Sequence, residues 1–339
     1  MRFSVIGGGS WGTALASHLA GIGHDVRMWV LEKEVASEIN SSHTNSDFLP
    51  GVELPADISA TNDFGTALEG ADFLLSVVPS QHVRQVVKQM KDVIPPDITI
   101  ISATKGIENE TLARVSTIYE EELGGLGNRS FAALAGPSFA KEVVRSHPTA
   151  VVAASSRLED AERVQKAFSS ELFRVYTTTD LVGVEICGAL KNVIAIASGI
   201  LTGLDFGENS KAALITRGIA EIARLVMYLG GRRRTVAGLA GIGDMVLTCT
   251  STTSRNFSVG LRLGKGESLE EITSSMSMIA EGVKTTLSVE ALARREGLEM
   301  PISESVHAIL YEGLHPREAV RNLMTRELKE EWERTGGRQ

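Results

Sequence analysis

The chain has 339 residues, of which 43% are hydrophobic and 22% are charged, and its formal net charge is −8 at pH 7. This length exceeds what one hydrophobic core usually supports, and the apolar fraction is too high for a disordered chain, so we expect two folded domains. The acidic balance argues against a nucleic-acid-binding protein, which needs clustered lysine and arginine to contact phosphates.

The N-terminal half alternates short apolar runs with helical patterns. Residues 2–6 are predicted to form a strand, residues 12–20 a helix and residues 25–30 a second strand, which together make a βαβ unit. Further strands are predicted over residues 73–78, 98–102, 132–135 and 150–154. Because these runs do not alternate with polar residues, they favour a parallel sheet covered on both faces. The first half is therefore predicted to be a doubly wound α/β domain.

From about residue 180 the strand signal gives way to helical periodicity, broken by glycines near residues 203–207, 230–231 and 238–243. We expect the second half to be all-helical, with domains over residues 1–180 and 181–339. The charged tail, residues 324–339, contains two adjacent glycines near its end and is predicted to fray.

Cysteine use and hydropathy indicate where the protein works. Cys187 and Cys249 give neither a disulfide framework nor the paired spacing of a zinc site, which fits a reducing cytoplasm. A glycine-rich turn follows the first strand at once, which leaves no room for a signal peptide. The longest apolar run, residues 181–201, contains Glu185 and Lys191, and such charges are costly in lipid. We expect a cytoplasmic protein without a membrane span.

Three glycines follow the first strand with the spacing of a dinucleotide-binding turn. Gly7, Gly9 and Gly12 form G-x-G-x-x-G between a strand and a helix. The first permits a tight turn, the second lets the backbone approach a pyrophosphate, and the third lets helix and strand pack closely. The helix N-terminus then offers N–H groups to the phosphates. An ordinary glycine turn is the alternative, and the strand–turn–helix context argues against it.

Glu32 lies 20 residues after Gly12, just past the second predicted strand. An acidic residue there can accept hydrogen bonds from the adenosine ribose, which favours NAD. The adjacent Lys33 could instead neutralise a 2′-phosphate, which would favour NADP. A solvated charge pair explains the two residues equally well, so both coenzymes stay open.

Lys191 lies in the most apolar segment of the chain. On an α-helix it shares a face with the small residues Gly188 and Ala195, while Leu190 and Val193 lie on the opposite, inward-packing face. Small neighbours leave room beside the lysine, and a desolvated ammonium has a lowered pKa and can donate a proton near neutral pH. The alternative is a lysine whose stem covers apolar surface while its charge reaches solvent.

Two polar segments follow predicted strands of the sheet. Lys105 comes just after the strand at residues 98–102, at the carboxyl edge where ligands of open α/β sheets bind. Gly136 and Ser138 come after the strand at residues 132–135 and precede a helix, where Ser138 could simply be an N-cap.

A third polar segment lies in the helical half and holds Asp244, Thr248, Ser254, Arg255 and Asn256. Arg255 has a planar fork suited to phosphate, and its two neighbours add neutral donors, although a solvated loop would have the same composition. The seven histidines form no H-x-x-x-H pair, and we predict no metal site.

Together these segments resemble the NAD(P)-dependent glycerol-3-phosphate dehydrogenase family of the bacterial type. The matching motifs, in chain order, are VIGGGSWGTALA, FLPGVELP, VVPSQHVR, SATKGIENET, LAGPSFAKEV, GALKNVIAI, GIGDMVLTCTSTTSRN and AEGVKTT. The resemblance implies a Rossmann-type dinucleotide-binding domain followed by a helical substrate-binding domain. It also implies reversible reduction of dihydroxyacetone phosphate to sn-glycerol 3-phosphate with NADH or NADPH, which feeds glycerophospholipid synthesis.

The resemblance also implies which residues act. Lys191 matches the family's catalytic lysine, which would donate the proton to the ketone oxygen. With the glycine turn and Glu32 included, the predicted cofactor-binding set is Gly7, Gly9, Ser10, Trp11, Gly12, Glu32, Lys105, Ala140, Arg255, Ala280 and Glu281. The predicted substrate-binding set is Lys105, Gly136, Ser138, Lys191, Asp244, Thr248, Ser254, Arg255 and Asn256.

Two rival interpretations share this plan. A hydroxyacid or ketopantoate-type reductase would not depend on a substrate phosphate, and a dinucleotide-sensing module would not need a proton donor beside the nicotinamide. The chain departs from the bacterial pattern at Trp29-Val30-Leu31-Glu32, where His, Arg or Asp is common, which again leaves the coenzyme preference open. A homodimer is the default expectation for the assembly.

Overall fold

A computed structural model describes residues 1–276, 280–328 and 330–331. Its one large sheet has eight strands in the order β3-β2-β1-β4-β5-β6-β7-β8. The strands are β1 (Arg2–Ile6), β2 (Asp25–Trp29), β3 (Ser59–Thr61), β4 (Phe73–Ser76), β5 (Thr99–Ser102), β6 (Ser130–Ala135), β7 (Thr149–Ala154) and β8 (Phe173–Thr178). The strand order reverses direction at β1, between β2 and β4, as it does in doubly wound folds.

Helices cover both faces of the sheet. They are α1 (Ser10–Gly21), α2 (Lys33–Ser42), α3 (Phe64–Leu68), α4 (Val83–Met90), α5 (Val115–Glu122), α6 (Ala140–Val143) and α7 (Leu158–Phe168), and a 3₁₀ turn (Ser80–His82) precedes α4. One hydrophobic cluster joins the sheet to α1, α2, α6 and α7, and a second joins it to α3, α4 and α5. Along β4, Leu75 belongs to the first cluster and Leu74 to the second, so the strand is buried on both faces. The predicted doubly wound α/β fold is confirmed.

The predicted parallel sheet contains one antiparallel pairing. β6 and β7 are antiparallel, with Leu134 opposite Ala153, while every other pairing in this sheet is parallel. The connection between β6 and β7 carries only the short helix α6, of 4 residues, so the chain turns back along β6 instead of crossing over the sheet.

Two strands were not predicted from the sequence. β3 has only 3 residues and no apolar run. β8 alternates buried Phe173 and Val175 with exposed Arg174 and Tyr176, a pattern that a search for continuous apolar runs overlooks. β8 lies at the edge of the sheet, where such alternation is expected.

All described residues beyond β8 are helical or irregular. The helices are α8 (Leu181–Gly203), α9 (Glu208–Tyr228), α10 (Arg233–Val236), α11 (Asp244–Thr250), α12 (Arg255–Gly264), α13 (Leu269–Ser274), α14 (Glu281–Glu296), α15 (Pro301–Tyr311) and α16 (Pro316–Met324), and a π-helical turn (Leu239–Gly243) precedes α11. This agrees with the predicted helical second half, and the domain division at residue 180 stays a prediction. Of the tail predicted to fray, residues 329 and 332–339 lie outside the described residues.

The helix α8 forms the centre of the helical part. Among the described residues it is the one helix long and apolar enough to cross a membrane by length and composition, and its apolar window is wholly buried inside the protein. A Cβ on Gly260 of α12 would lie only 1.9 Å from the Ile196 carbonyl oxygen, and one on Gly199 would lie 2.1 Å from that of Phe257. The helices α8 and α12 therefore touch along their backbones.

This contact corrects one expectation about α8. The small-residue face was expected to leave room beside Lys191 while the opposite face packed inward. Both faces are buried, and α12 fills the space at Gly199. At Gly188 an added Cβ would lie 3.6 Å from Lys105 Cγ, so the room at that position holds a second lysine.

Candidate active site

Lys191 lies inside the protein, where its side chain contacts two residues of α11. The residue is 6% exposed, and its ammonium Nζ donates to Asp244 Oδ1 at 2.7 Å and to Thr248 Oγ1 at 2.8 Å. The Thr248 hydroxyl donates to the Asp244 carbonyl oxygen at 2.6 Å, so it accepts from the lysine. The alternative of a lysine reaching solvent is therefore wrong.

Asp244 holds a second lysine with its other oxygen. Lys105 Nζ donates to Asp244 Oδ2 at 2.9 Å from the segment that follows β5. Asp244 is 1% exposed and is the first residue of α11. One buried carboxylate thus lies between two ammonium groups, and the cluster keeps a net charge of +1.

Burial changes the proton affinity of these groups. It lowers the pKa of Lys191 to about 8, with the Asp244 carboxylate opposing this shift and the nearby Lys105 charge adding to it. Burial alone would raise the pKa of Asp244, but the charges of Lys105 and Lys191 outweigh it and hold that pKa below its usual value. Lys191 can therefore be protonated at neutral pH and still release its proton readily.

The N-terminus of α12 adjoins this cluster. Ser254 Oγ accepts from the Phe257 N–H at 3.2 Å, so this serine caps the helix. Asn256 Oδ1 accepts from the Gly282 N–H at 2.9 Å, which leaves the amide NH₂ of Asn256 as a donor. Arg255 is exposed and makes no hydrogen bond or salt bridge with any residue that the structure describes. The alternative of a solvated loop is wrong, because these residues form an ordered helix start.

Glu281 connects the helical part to the sheet. It is the first residue of α14, and its Oε1 accepts from the Ser80 N–H at 3.1 Å, just past β4. Burial raises the pKa of this carboxyl group, while the Ser80 N–H and the charges of Arg255, Lys105 and Lys191 act in the opposite direction. Glu281 is therefore close enough to interact electrostatically with all three cations of the predicted substrate site.

The glycine turn after β1 has the geometry that its spacing predicts. Gly7 has φ +123°, and a Cβ there would lie 2.7 Å from the Val77 carbonyl oxygen. A Cβ on Gly12 would lie 2.1 Å from the Gly7 carbonyl oxygen, so the third glycine does allow close packing of the helix. Gly9 faces open space within 4 Å and is the N-cap of α1, with no side chain to occupy the helix end. A phosphate group fits this position.

The residues around this turn are held in place. Ser10 Oγ donates to the Phe48 carbonyl oxygen at 2.5 Å. Asn45 Nδ2 donates to the Gly8 carbonyl oxygen at 2.8 Å and to Thr13 Oγ1 at 2.9 Å. The Trp11 Nε1 atom is buried and has no hydrogen-bond partner among the described residues. A buried donor of this kind calls for an explanation, and a bound cofactor would provide one.

Two further predicted parts of the site are Glu32, which precedes α2, and the β6–β7 connection, whose helix α6 packs on α1. Glu32 is partly buried and is the N-cap of α2, but its side chain does not cap the helix. Gly136 has φ +143°, and an added Cβ would lie 2.9 Å from Val151 Cα. Ser138 Oγ donates to the Gly136 carbonyl oxygen at 3.0 Å, and Phe139 is the N-cap of α6, so the capping alternative for Ser138 is wrong.

The remaining predicted positions, Ala140 and Ala280, lie at the starts of the helices α6 and α14. Ala140 is the first residue of α6, and Ala280 is the N-cap of α14, directly before Glu281. A Cβ on Gly243, which precedes Asp244, would lie 3.6 Å from Pro137 Cδ, so the β6–β7 connection borders the lysine cluster.

The structure brings Lys105, Lys191, Asp244 and Thr248 into direct hydrogen-bonded contact, and α12 and α14 begin beside them. Sequence reasoning missed Asn45, Ser80 and Gly282. The signal for Ser80 was its position just past a buried strand, whereas nothing in the sequence marks Asn45. Within the described residues no group of three or more His, Cys, Asp or Glu side chains could hold a metal ion, and both cysteines are buried and free.

The chain is similar to known proteins along most of its length. The family model for the N-terminus of NAD-dependent glycerol-3-phosphate dehydrogenase matches residues 2–161, and that for its C-terminus matches residues 180–321. The chain is 51% identical over 331 residues to glycerol-3-phosphate dehydrogenase [NAD(P)+] of Nitratidesulfovibrio vulgaris strain DP4, covering 98% of this chain and 100% of the relative. It is 52% identical over 330 residues to the protein of the same name from Geobacter sp. strain M21, covering 97% and 98%.

Solved structures extend the comparison. A crystal structure of glycerol-3-phosphate dehydrogenase from Coxiella burnetii superposes with a TM-score of 0.92 at 40% identity, covering 96% of this chain and 99% of the other. Glycerol-3-phosphate dehydrogenase from Saccharomyces cerevisiae superposes with a TM-score of 0.81 at 28% identity, covering 95% and 98%. A ketopantoate reductase family protein from Ralstonia eutropha gives 0.59 at 16% identity over 94% and 100%, a likeness of fold alone.

Replacing the shared carboxylate should destabilise the protein. In Asp244→Asn, two ammonium groups lose their buried counter-charge, and we expect the free energy of unfolding at pH 7 to fall by about 3 kcal/mol in urea denaturation. The matched control is Glu208→Gln, because Glu208 pairs with Lys211 at 2.7 Å but its side chain is 87% exposed. An exposed pair is worth about 0–1 kcal/mol, and equal losses in the two variants would contradict the buried cluster.

Proposed function

The chain belongs to the NAD-dependent glycerol-3-phosphate dehydrogenase family, and from this premise we propose that Lys191 is the proton donor and acceptor in the interconversion of dihydroxyacetone phosphate and sn-glycerol 3-phosphate. The protein is an NAD(P)-dependent oxidoreductase, as its relatives of matching length are. The observation that carries the proposal is the buried cluster in which Asp244 joins Lys191 to Lys105.

The hydrogen bonds of Lys191 leave it one proton for a ligand. Its ammonium has three N–H groups, of which one donates to Asp244 and one to Thr248. Bound NADH or NADPH supplies the hydride that reduces the ketone carbon. As negative charge develops on the ketone oxygen, the third N–H of Lys191 stabilises it and transfers the proton, and in the reverse direction the neutral amine accepts it. Asp244 holds Lys191 in place and keeps it charged.

The start of α12 is proposed to bind the phosphate of the substrate. The exposed fork of Arg255, the NH₂ of Asn256 and the hydroxyl proton of Ser254 are all left available by their contacts within the described residues. Arginine binds phosphate oxygens bidentately. Holding the phosphate away from the reacting carbon fixes the substrate orientation, which can lower the barrier by about 7 kcal/mol or more. Lys105, Gly136 and Ser138 complete the proposed substrate site.

The cofactor is proposed to lie along the carboxyl ends of β1, β2 and β4. The open space at Gly9 suits the pyrophosphate, and the orphaned Trp11 Nε1 donor suits a polar cofactor atom. Glu32 is placed to contact the adenosine ribose, and the exposed Lys33 beside it leaves NADP equally open. The other proposed contacts are Ser10, Lys105, Ala140, Arg255, Ala280 and Glu281.

We also propose the domain boundaries, the cellular location and the assembly. We place the cofactor-binding domain at residues 1–180 and the substrate-binding domain at residues 181–339, with the lysine cluster where the two meet. Two buried free thiols support a cytoplasmic enzyme. Its product is the backbone of glycerophospholipids, and a homodimer is the assembly we expect.

Loss of Lys191 should strongly reduce turnover without unfolding the protein. We expect the wild-type protein to oxidise NADH or NADPH when dihydroxyacetone phosphate is added. The assay measures the absorbance of the reduced nicotinamide, with the two cofactors tested side by side. Lys191→Met should lower kcat by about 100-fold or more, because the proton donor is lost. The control is Lys166→Met, an exposed lysine on α7. Unchanged kcat in Lys191→Met would refute its role, and no oxidation with either cofactor by folded wild-type protein would refute the reaction.

The reaction should depend on pH in opposite senses in its two directions. Ketone reduction needs protonated Lys191, whose pKa is lowered to about 8, so its kcat should fall as pH rises through about 8. Oxidation of sn-glycerol 3-phosphate needs the neutral amine, so its kcat should rise over the same range. Initial rates at saturating substrates between pH 6.5 and 9.5 test this, and profiles that run in parallel would contradict a single acid–base lysine.

Arg255 should matter only for substrates that carry phosphate. In Arg255→Leu, we expect kcat/KM for dihydroxyacetone phosphate to fall by about 10- to 100-fold, because a charged hydrogen-bond donor is lost. The slow reduction of dihydroxyacetone itself should stay unchanged. Arg294→Leu is the control, since Arg294 is exposed near the far end of α14 and pairs with Glu290. An equal loss on both substrates would argue against phosphate binding by Arg255.

A further inference from the structure

The segment that carries Lys105 is irregular yet buried. Residues 103–114, between β5 and α5, form neither helix nor strand, and most of residues 103–109 lie out of solvent. Backbone N–H and C=O groups in such a segment need partners other than the regular ladders of helices and sheets. The groups that hydrogen-bond to the backbone of this segment therefore determine the position of Lys105.

Gln81 supplies two of these partners at once. Its Nε2 donates to the Ile107 carbonyl oxygen at 2.8 Å, and its Oε1 accepts from the Asn109 N–H at 3.0 Å. The side-chain amide thus pairs with the backbone on both sides of Glu108, as a neighbouring strand would. Gln81 belongs to the 3₁₀ turn that follows β4, a central strand of the sheet, so this turn holds the segment.

Further contacts tie the same segment to its surroundings. Gly106 has φ +155°, and a Cβ there would lie 2.2 Å from Ser80 Oγ, so the backbone next to Lys105 rests directly on the 3₁₀ turn. Ser288 Oγ of α14 lies 3.0 Å from the Ile107 carbonyl oxygen. The Arg84 guanidinium holds the Glu108 carboxylate at 2.7 Å. Among these residues, Gln81 is the one whose side-chain amide hydrogen-bonds to the backbone through both its nitrogen and its oxygen.

We propose that Gln81 is a positioning residue that fixes Lys105 Nζ on Asp244 Oδ2 by clamping the backbone between Ile107 and Asn109. The proposal rests on the proposed function, in which Lys105 takes part in the substrate site. Lys105 and Lys191 bind the same carboxylate, that of Asp244. A shift of the segment would move the Lys105 charge that faces the substrate, and it would disturb Asp244, which orients the proton donor Lys191. Misplacement by about 1 Å can cost about 100-fold in rate.

A double-mutant cycle tests whether Gln81 acts through Lys105. The variants are Gln81→Ala, Lys105→Met and the two combined, each assayed for kcat and KM with dihydroxyacetone phosphate and for NADH binding without substrate. We expect Gln81→Ala to lower kcat/KM by about 10- to 100-fold, with a change in the Kd for NADH no larger than that in Lys105→Met. In the Lys105→Met background the same change should cost less than about 3-fold, because the group being positioned is already absent.

The matched control is Gln85→Ala, the same residue type one turn further on in α4, where the side chain is exposed. It should leave all constants unchanged. If Gln81→Ala does not fold, Gln81→Glu replaces it in the cycle, since glutamate keeps an acceptor for the Asn109 N–H but places a carboxylate oxygen, which cannot donate, opposite the Ile107 carbonyl oxygen. A loss in kcat/KM that again vanishes beside Lys105→Met supports the clamp.

Three results would overturn the proposal, and they separate it from the proposed function. Losses that multiply independently in the double variant would show that Gln81 does not act through Lys105. A rise in the Kd for NADH larger than that in Lys105→Met would show a general disturbance of the cofactor side. Full activity in Lys105→Met would remove Lys105 from the substrate site, whereas a large loss in Lys105→Met with independent effects would refute the clamp alone.

Discussion

The arrangement of the site depends on one buried carboxylate that binds two ammonium groups. Asp244 is 1% exposed and accepts from Lys105 on one oxygen and from Lys191 on the other. Without it the ammonium group of Lys191 would be an unpaired buried charge, which is very costly. Three separate parts of the chain, the segment after β5, α8 and α11, therefore have to meet at Asp244.

That meeting requires close backbone packing around α8. Glycines on α8 and α12 let the two helices touch along their backbones, as Gly199 and Gly260 show. Gly282, at the start of α14, packs on the Asn192 carbonyl group next to Lys191 and donates its N–H to Asn256. The same packing thus brings the predicted phosphate-binding residues and Glu281 to the lysine cluster. Function and core packing share one set of small residues here.

Much of this could be predicted from local pattern. Strands with continuous apolar runs were recognised, and the glycine turn was recognised because three glycines at fixed spacing follow a strand. The edge strand β8 and the antiparallel β6–β7 pairing were not, because alternation at an edge and the direction of a connection depend on neighbours that the sequence does not identify. The small-residue face of α8 was predicted, but the open space beside it was not correct. The helix α12 packs there, and the sequence alone does not identify that partner.

By itself, the sequence determined the class of fold, the glycine turn after β1 and the residue types of the candidate site. Local spacing decides these, since the conformational freedom of glycine and the apolar period of a strand or helix act over a few residues. Only the tertiary structure decided that Lys191 is buried, that Asp244 is shared by two lysines, and that Gln81 reaches the backbone beside Lys105. These are contacts between residues far apart in the chain, such as the 139 positions that separate Lys105 from Asp244, and they arise when packing removes water from between them.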